Sequence, residues 1–341
     1  MAAQNRRQFL WMALGAGGLT ALGMQRFLGR TLPGPAKVEG LVAAKRTSHA
    51  LGAEVSMVVL HSSAARAQAA LDAAFGELET VEELMSIYRP HSQLCRLNRD
   101  GVLKNPHPYF VEVLRCGQEL SARSNGAFDV TVQPLWEVYA SAQRAGRLPA
   151  DAELDVARAK VDWRKLEAGS QQLRLAEKGM AVTLNGIAQG FAADRVLAVL
   201  REQGVKHALV NTGEIGALGR KEDGARWKVG IQHPRAEDAF AALAELEGKC
   251  LSTSGDYATP FSPDKSRNHI FDPKTGHSPQ HFASVTVVAE RGMVADALTK
   301  VVFVGGAEAG VNTAMQTPGT DIFMVRKDGS TLKTAGFPLT V

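Results

Sequence analysis

Apolar residues recur at helical spacing along much of the chain. In the stretch 64–88 they are three or four residues apart: Leu71, Phe75, Leu78, Val81 and Leu84. This spacing predicts an amphipathic helix, and Pro90 is expected to stop it because proline cannot continue a helix. Similar spacing predicts helices over about 108–126, over 184–204 and over 293–314, the last with a glycine-rich break.

The helix of residues 184–204 has an unusual start. Asn185 is predicted as its N-cap and Gly204 as its C-terminal stop, with an apolar face between them. Gly186 and Gly190 lie in its first turns, where glycine normally weakens a helix. Either the helix packs closely on a neighbour, or an anion approaches its free N–H groups.

Alternating and short apolar runs predict strands between these helices. We expect extended structure in SMVVLHSS after Gly52, AFDVTVQPLWEVY, KHALVNTGEIGALG, WKVGIQHP, GKCLSTSGDY and SVTVVAE, and hairpins in LRLAEKGMAVTLNG and TDIFMVRKDGSTLKT. Residues 98–101 are predicted as a turn and residues 140–170 as a helical insertion with a connector. Strands and helices follow no regular βαβ order, which predicts an α+β fold rather than a doubly wound sheet.

The N-terminal stretch NRRQFLWMALGAGGLTALGM resembles a twin-arginine export signal. Arg6 and Arg7 precede a weakly apolar segment that is too short and glycine-rich for a convincing membrane span. We therefore predict a signal over 1–32, a linker over 33–44, one domain over 45–341 and a periplasmic location. An uncleaved signal acting as a membrane tether, and a basic start to a cytoplasmic protein, are the alternatives.

The composition of the chain excludes some classes of function but does not indicate a particular one. The 341 residues are 45% hydrophobic and 22% charged, and the formal net charge is +4. The basic residues are dispersed, so we predict no nucleic-acid partner and only a mild attraction for anionic ligands. The chain has 3 cysteines and no C-x-x-C pair, which indicates neither a disulfide framework nor a cysteine metal site.

A group of oxygen- and nitrogen-bearing side chains lies in the helix of residues 293–314. Asp296, Thr299 and Lys300 occupy one face of this helix because they are spaced i, i+3 and i+4. A carboxylate and a hydroxyl in such an apolar helix suit Mg²⁺ bound with a phosphate. The alternative is an ordinary Asp–Lys pair on a helix surface.

Three further places could carry chemistry. His269 stands three residues before Asp272 in the loop NHIFDPKTGHSP, where it could act as a general base or simply pack the loop. Asp129 and Thr131 would share one face of a strand. Tyr88, at a helix end, could stack on a flat ligand.

Taken together, these stretches resemble the ApbE family of FAD:protein FMN transferases. Seven of them occur in the family's order: ELMSIYRPHSQLCRLN, SNGAFDVTVQPLW, LNGIAQGFAADRV, ALVNTGEIGALG, LSTSGDY, HIFDPKTG and DALTKVVFV. The resemblance covers residues 45–340. It implies a single α+β unit with FAD in a cleft between two lobes, Mg²⁺ on the FAD pyrophosphate, and transfer of FMN to a Thr or Ser hydroxyl of a partner protein with release of AMP.

The resemblance also implies roles for individual residues. It places the metal ligands on the backbone carbonyl of Gly186 and on Asp296, Thr299 and Lys300. It identifies His269 as the base and as a contact of FAD. The other FAD contacts would be Leu51, Tyr88, Ala127, Phe128, Asp129, Thr183, Gln189 and Lys300.

This chain departs from the family pattern at the site itself. The family usually has Asp at the place of Thr183, Lys at the place of Gln189 and Ser or Thr at the place of Lys300, and one glycine of its GGD turn is missing in NTGEIG. An ammonium at residue 300 would repel Mg²⁺ and could meet phosphates as a point charge. We therefore hypothesise that FAD is bound with an altered or weaker metal requirement.

Three functions remain open at the level of sequence. The first is an exported transferase that flavinylates a redox partner in the periplasm or at the periplasmic side of the membrane. The second is a FAD-binding carrier or maturation factor for a periplasmic respiratory enzyme, as in nitrous oxide reductase assembly. The third is a FAD pyrophosphatase.

The resemblance also implies an acceptor pattern: Asp, a small residue, two variable residues, Ser or Thr, two small residues and Thr. The segment DGSTLKT begins like this pattern at Asp328, but Leu332 stands where the Ser or Thr should be. We therefore predict that the chain is not itself flavinylated.

Overall fold

The computed structural model describes residues 40–340, which form eight α-helices and thirteen strands. The helices are α1 Ala64–Met85, α2 Gln93–Asp100, α3 Pro108–Arg123, α4 Gln133–Arg144, α5 Asp151–Arg158, α6 Ala188–Glu202, α7 Gly292–Gly305 and α8 Val311–Met315. A 3₁₀ turn covers Trp163–Lys165, and a π-helical turn over Gly306–Gly310 joins α7 to α8.

The strands form three antiparallel sheets within the described residues. They are β1 Val42–Ala50, β2 Ala53–His61, β3 Val102–Lys104, β4 Leu166–Ala168, β5 Gln172–Leu175, β6 His207–Asn211, β7 Ile215–Leu218, β8 Trp227–Gln232, β9 Phe240–Leu246, β10 Cys250–Gly255, β11 Phe282–Ala289, β12 Asp321–Arg326 and β13 Thr331–Lys333. The main sheet has the order β1-β2-β6-β7-β10-β11-β12-β13, beside a β3-β5-β4 sheet and a β8-β9 ribbon. This antiparallel arrangement with segregated helices confirms the predicted α+β class.

The main sheet is covered on both faces. On β2, Val55, Met57 and Val59 pack in the same core as helices α1, α6 and α7, whereas Val58 and Leu60 belong to a second core that includes β8 and β9. This alternation follows from the two-residue period of a strand. Helices α4 and α5 stand apart in a small lobe with its own core around Tyr139.

Several predicted elements agree with the structure, and others do not. The hairpin of β12 and β13 and the helices α1, α3 and α7 are confirmed. Residues 98–101 were predicted as a turn but are the end of α2, which Gly101 caps with a positive φ. The segment 127–139 was predicted to be extended, yet residues 133–139 are helical in α4. Phe128 and Val130 of this segment pack in the main core, whereas Leu135 and Tyr139 pack in the core of the small lobe.

Two predictions around α6 are wrong. The helix begins at Ala188, with Ile187 rather than Asn185 at its N-cap. The stretch 172–186 forms no hairpin of its own, because β5 pairs with β3 and β4. The residues after β5 are instead tied to α2, where the amide of Asn98 bonds both the N–H and the carbonyl of Val182 at 2.7 and 2.8 Å.

The predicted export signal and most of the predicted linker lie outside the described residues. Residues 42–44 of that linker already belong to β1, so the main sheet starts three residues before the predicted domain boundary. Within residues 40–340, no helix is both long and apolar enough to cross a membrane.

Gly190 is explained by the packing of α6 on α7. A Cβ at this position would overlap the carbonyl group of Gly292 and lie 2.7 Å from the Cβ of Asp296. On the next turn of α6, Asp194 accepts hydrogen bonds from the N–H groups of Gly292 and Met293 at 2.5 and 3.0 Å. A side chain on α6 therefore caps the N-terminus of α7, and this requires the two helices to lie very close together.

We predict that Gly190→Ala destabilises the protein by about 1–3 kcal/mol, because the added methyl group overpacks the junction of α6 and α7. Gly76→Ala is the matched control, since Gly76 lies inside α1 with no atom within 4 Å of an added Cβ. The control should gain about 0.5–1 kcal/mol from its higher helix propensity. Urea unfolding measures both changes, and equal stability of the two variants would refute the packing argument.

Candidate active site

A deep cleft opens between the small lobe and the main body. The empty space within it, including open solvent at the mouth, is about 1270 Å³. It is lined by Ala53, Tyr88, Ala127, Phe128, Asp129, Val130, Val132, Trp136, Thr183, Asn185, Gly186, Gln189, Gly213, Glu214, Thr253, Ser254, Gly255, Ala258, His269, Ile270, Phe271, Pro273 and Lys300.

The two sides of the cleft differ in polarity. The small lobe contributes Val132, Trp136 and Phe271, which pack in or against the core around Tyr139. The main body contributes polar and charged groups from α6, α7 and the ends of β6 and β10. A ligand with one flat apolar part and one anionic part matches such a cleft.

The charged part of the wall is built around Asp296 in the second turn of α7. Its side chain is only 1% exposed. One carboxylate oxygen pairs with the ammonium of Lys300, and the other accepts the Gly190 N–H at 3.1 Å. The ammonium of Lys300 also donates to the backbone carbonyl of Asp296 at 3.1 Å. The carboxylate therefore joins α6 to α7 and anchors the lysine that faces the cleft.

Thr299 lies behind the wall. Its hydroxyl donates to the Asp296 carbonyl at 2.6 Å and lies 2.7 Å from the Ser254 hydroxyl. Ser254 itself lines the cleft, whereas Thr299 is fully buried. Among the predicted metal ligands, Gly186 and Lys300 line the cleft and Asp296 and Thr299 support it from beneath.

Glu214 is a charged residue of the cleft that sequence reasoning missed. It follows Gly213 at the turn between β6 and β7, it is 7% exposed, and its carboxylate accepts the Thr253 N–H at 3.2 Å. Burial raises the pKa of Glu214 well above its usual value, the charge of Asp296 raises it further, and Lys300 opposes the shift. The sequence signal that could have identified Glu214 is the stretch NTGEIG, in which one glycine of the family's GGD turn is missing.

Asp129 and Thr131 were predicted on one face of a strand, but this segment is a turn. One Asp129 oxygen accepts both the N–H and the hydroxyl of Thr131 at 2.7 and 2.6 Å, and the other accepts the Trp163 N–H at 3.1 Å. Burial raises the pKa of Asp129, and these hydrogen bonds oppose the shift. The carboxylate thus shapes the loop, and the Thr183 N–H joins that loop through the Val130 carbonyl at 2.8 Å.

Gln189 connects α6 to the hairpin of β1 and β2. Its amide nitrogen lies 3.4 Å from the carbonyl of Leu51, whose φ of 52° belongs to the tight turn between the two strands. The same amide fills the space next to Gly213, where any Cβ would overlap it. Leu51 itself does not line the cleft, but its carbonyl contacts the Gln189 side chain, which does. Tyr88, at 75% exposure, stands at the mouth.

His269 projects from a firmly held loop. The backbone N–H of His269 donates a hydrogen bond to the Thr259 carbonyl at 3.1 Å. The preceding Asn268 exchanges hydrogen bonds of 2.8 Å with the Ser278 hydroxyl and accepts the Ile270 N–H at 3.0 Å. The half-buried imidazole lines the cleft together with Lys300 and Glu214. The predicted base and all predicted FAD contacts except Leu51 therefore line one cavity, whereas Asp296 and Thr299, which were predicted as metal ligands, lie behind its wall.

The molecule is thus an α+β protein whose main sheet and helical lobe enclose a cleft with one apolar side and one side that carries polar and charged groups. The profile of the ApbE family matches residues 51–324. The chain belongs to the ApbE family.

Named relatives agree with this assignment. The FAD:protein FMN transferase of Haemophilus influenzae is 31% identical over 266 residues, which is 74% of this chain and 77% of that protein. The Escherichia coli K12 protein of the same name is 29% identical over 271 residues, covering 76% of this chain and 77% of that protein. The apo crystal structure of the Pseudomonas stutzeri flavinyl transferase ApbE superposes with a TM-score of 0.75 at 29% identity, over 88% of this chain and 97% of that one.

Because the pKa of Glu214 is raised in the folded protein, we expect the stability of the fold to depend on pH through this residue. A carboxyl group whose pKa is higher in the folded state stabilises the fold at low pH and loses that contribution as pH rises towards the folded pKa. Glu214→Gln should therefore raise the melting temperature relative to the unchanged protein at pH 8, and the difference should shrink towards pH 5. Glu222→Gln, at an exposed position, is the control. A difference independent of pH would contradict the prediction.

Proposed function

We propose that this protein moves FMN from FAD to a Thr or Ser hydroxyl of a partner protein and releases AMP. Membership of the ApbE family and relatives named FAD:protein FMN transferase support this proposal. The observation that carries it is the convergence of His269 and Lys300 with the residues expected to contact FAD on one cleft.

The proposed reaction balances with His269 as the base. The acceptor hydroxyl oxygen forms a bond to the FMN phosphorus, the bond from that phosphorus to the AMP oxygen breaks, and AMP leaves. The hydroxyl proton passes to the His269 imidazole. Phosphoryl transfer depends chiefly on positioning and on neutralising charge, which the rigid loop of His269 and the ammonium of Lys300 would supply.

Magnesium, which the resemblance implied, does not fit the side chains as they are arranged here. The carboxylate of Asp296 already pairs with a cation, the Lys300 ammonium. The Thr299 hydroxyl is engaged by Asp296 and Ser254. Within residues 40–340, no group of three or more His, Cys, Asp and Glu side chains could hold a metal ion. The proposed reaction therefore includes no step through a metal.

We predict that His269→Ala lowers the rate of FMN transfer about 10²- to 10⁴-fold, the usual contribution of a general base, while FAD still binds. The assay incubates the protein with FAD and an acceptor domain carrying the pattern given above, and mass spectrometry follows the gain of one FMN. His281→Ala, at an exposed histidine outside the cleft, should leave the rate unchanged. Full transfer by His269→Ala would refute the assigned base.

The same assay separates the other two functions. A FAD carrier or maturation factor would bind FAD without modifying the acceptor, and Gln189 and Lys300 are the residues that favour this second candidate. A FAD pyrophosphatase would release AMP and FMN without an acceptor. Covalent FMN on the purified protein itself would contradict the prediction that the chain is not a substrate.

We also propose a periplasmic site of action, supported by Arg6 and Arg7 and the apolar segment after them. The acceptor would then lie in the periplasm or at the periplasmic side of the membrane. Replacing both arginines by lysine should retain the full-length protein in the cytoplasm, because twin-arginine export depends on the arginine pair. Cell fractionation measures this, and Arg26→Lys is the control. Undiminished export of the double variant would exclude the twin-arginine route.

A further inference from the structure

We propose that Lys300 is the cation of this site, so that its ammonium neutralises the pyrophosphate of FAD and the protein binds FAD without a divalent metal ion. The proposal rests on the proposed function, because it takes FAD as the ligand. It identifies Lys300 as the residue that sets the cofactor requirement of this chain.

The arrangement at Asp296 disfavours a divalent ion. This residue is the one carboxylate among the four predicted metal ligands, and it is almost completely buried. Lys300 pairs with one of its oxygens, and the Gly190 N–H occupies the other at 3.1 Å. An ion entering here would have to displace or closely approach the ammonium. Two like charges at such short range repel strongly in a partly buried site.

The ammonium of Lys300 is placed to meet a ligand. The Lys300 side chain is 18% exposed and lines the cleft, although its carboxylate partner is buried. Its stem passes close to Gly186, since a Cβ at that position would lie 3.2 Å from the lysine Cε. An ammonium has three N–H donors, and Asp296 accepts from it at two atoms. A donor remains for a phosphate oxygen.

The charges of the residues that line the cleft also favour Lys300. Among the lining residues between 40 and 340, Lys300 is the only lysine or arginine. Gln189 on α6 is neutral and its amide is turned to the Leu51 carbonyl. Glu214 and Asp129 are acidic. A bound pyrophosphate would thus find its positive counter-charge on α7 at Lys300. The compact ammonium acts there as a point charge, which is how lysine commonly binds phosphate.

The test compares FAD binding with and without metal. Quenching of FAD fluorescence gives the Kd of the unchanged protein in excess EDTA and in excess Mg²⁺, and the two values should agree within about twofold. Lys300→Thr removes the ammonium and supplies a hydroxyl beside Asp296. This variant should bind FAD at least about tenfold more weakly in EDTA and recover when Mg²⁺ is added. Lys104→Thr, at an exposed position at the end of β3, is the control.

Each outcome decides something. If the unchanged protein needs Mg²⁺ to bind FAD, the inference fails and the proposed function stands. If it binds no FAD under either condition, the proposed function fails. If Lys300→Thr binds FAD as tightly as the unchanged protein in EDTA, Lys300 is not the cation. Circular dichroism first checks that this variant folds, and should it not fold, the comparison of EDTA with Mg²⁺ on the unchanged protein still decides.

Discussion

The buried carboxylate of Asp296 is the interaction on which the arrangement of the site depends. It accepts the Gly190 N–H of α6 and pairs with Lys300 on its own helix. Because a charge so deeply buried must be compensated, the two helices and the lysine are held in one geometry. The close approach at Gly190 and the cap that Asp194 provides to Gly292 and Met293 reinforce this junction.

The cleft follows from how the two lobes are built. The main sheet and its helices provide a rigid body that carries the charged wall, whereas the small lobe around Tyr139 brings apolar side chains to the other side. Backbone hydrogen bonds hold the intervening loops: Thr183 to Val130, and His269 to Thr259. Many residues that line the cleft, such as Asp129, Gly213 and His269, lie in loops, whereas Lys300 lies inside α7 and is held by the buried Asp296.

Sequence reasoning recovered the α+β class, the longer helices and a set of site residues that mostly share one cleft. It failed where a local pattern had two structural solutions. The segment 127–139 has the composition of a strand but is a turn followed by α4, and its apolar residues divide between two cores: Phe128 and Val130 pack in the main core, and Leu135 and Tyr139 in the small lobe. Asn185 has the chemistry of an N-cap, yet α6 begins at Ala188. Glu214 was not predicted as a site residue because its burial depends on residues far away in the chain.

The sequence by itself determined the family, through seven stretches in a fixed order, and the unusual residues Gln189 and Lys300 at its site. The periodicity of apolar residues and the positions of glycines are local properties, so the sequence alone reveals them. Only the tertiary structure decided which of two explanations applies to each glycine. Gly190 allows α6 to touch α7, whereas Gly186 lies in the cleft beside Lys300. That distinction, like the pairing of Lys300 with a buried carboxylate, arises from the packing of two helices about a hundred residues apart.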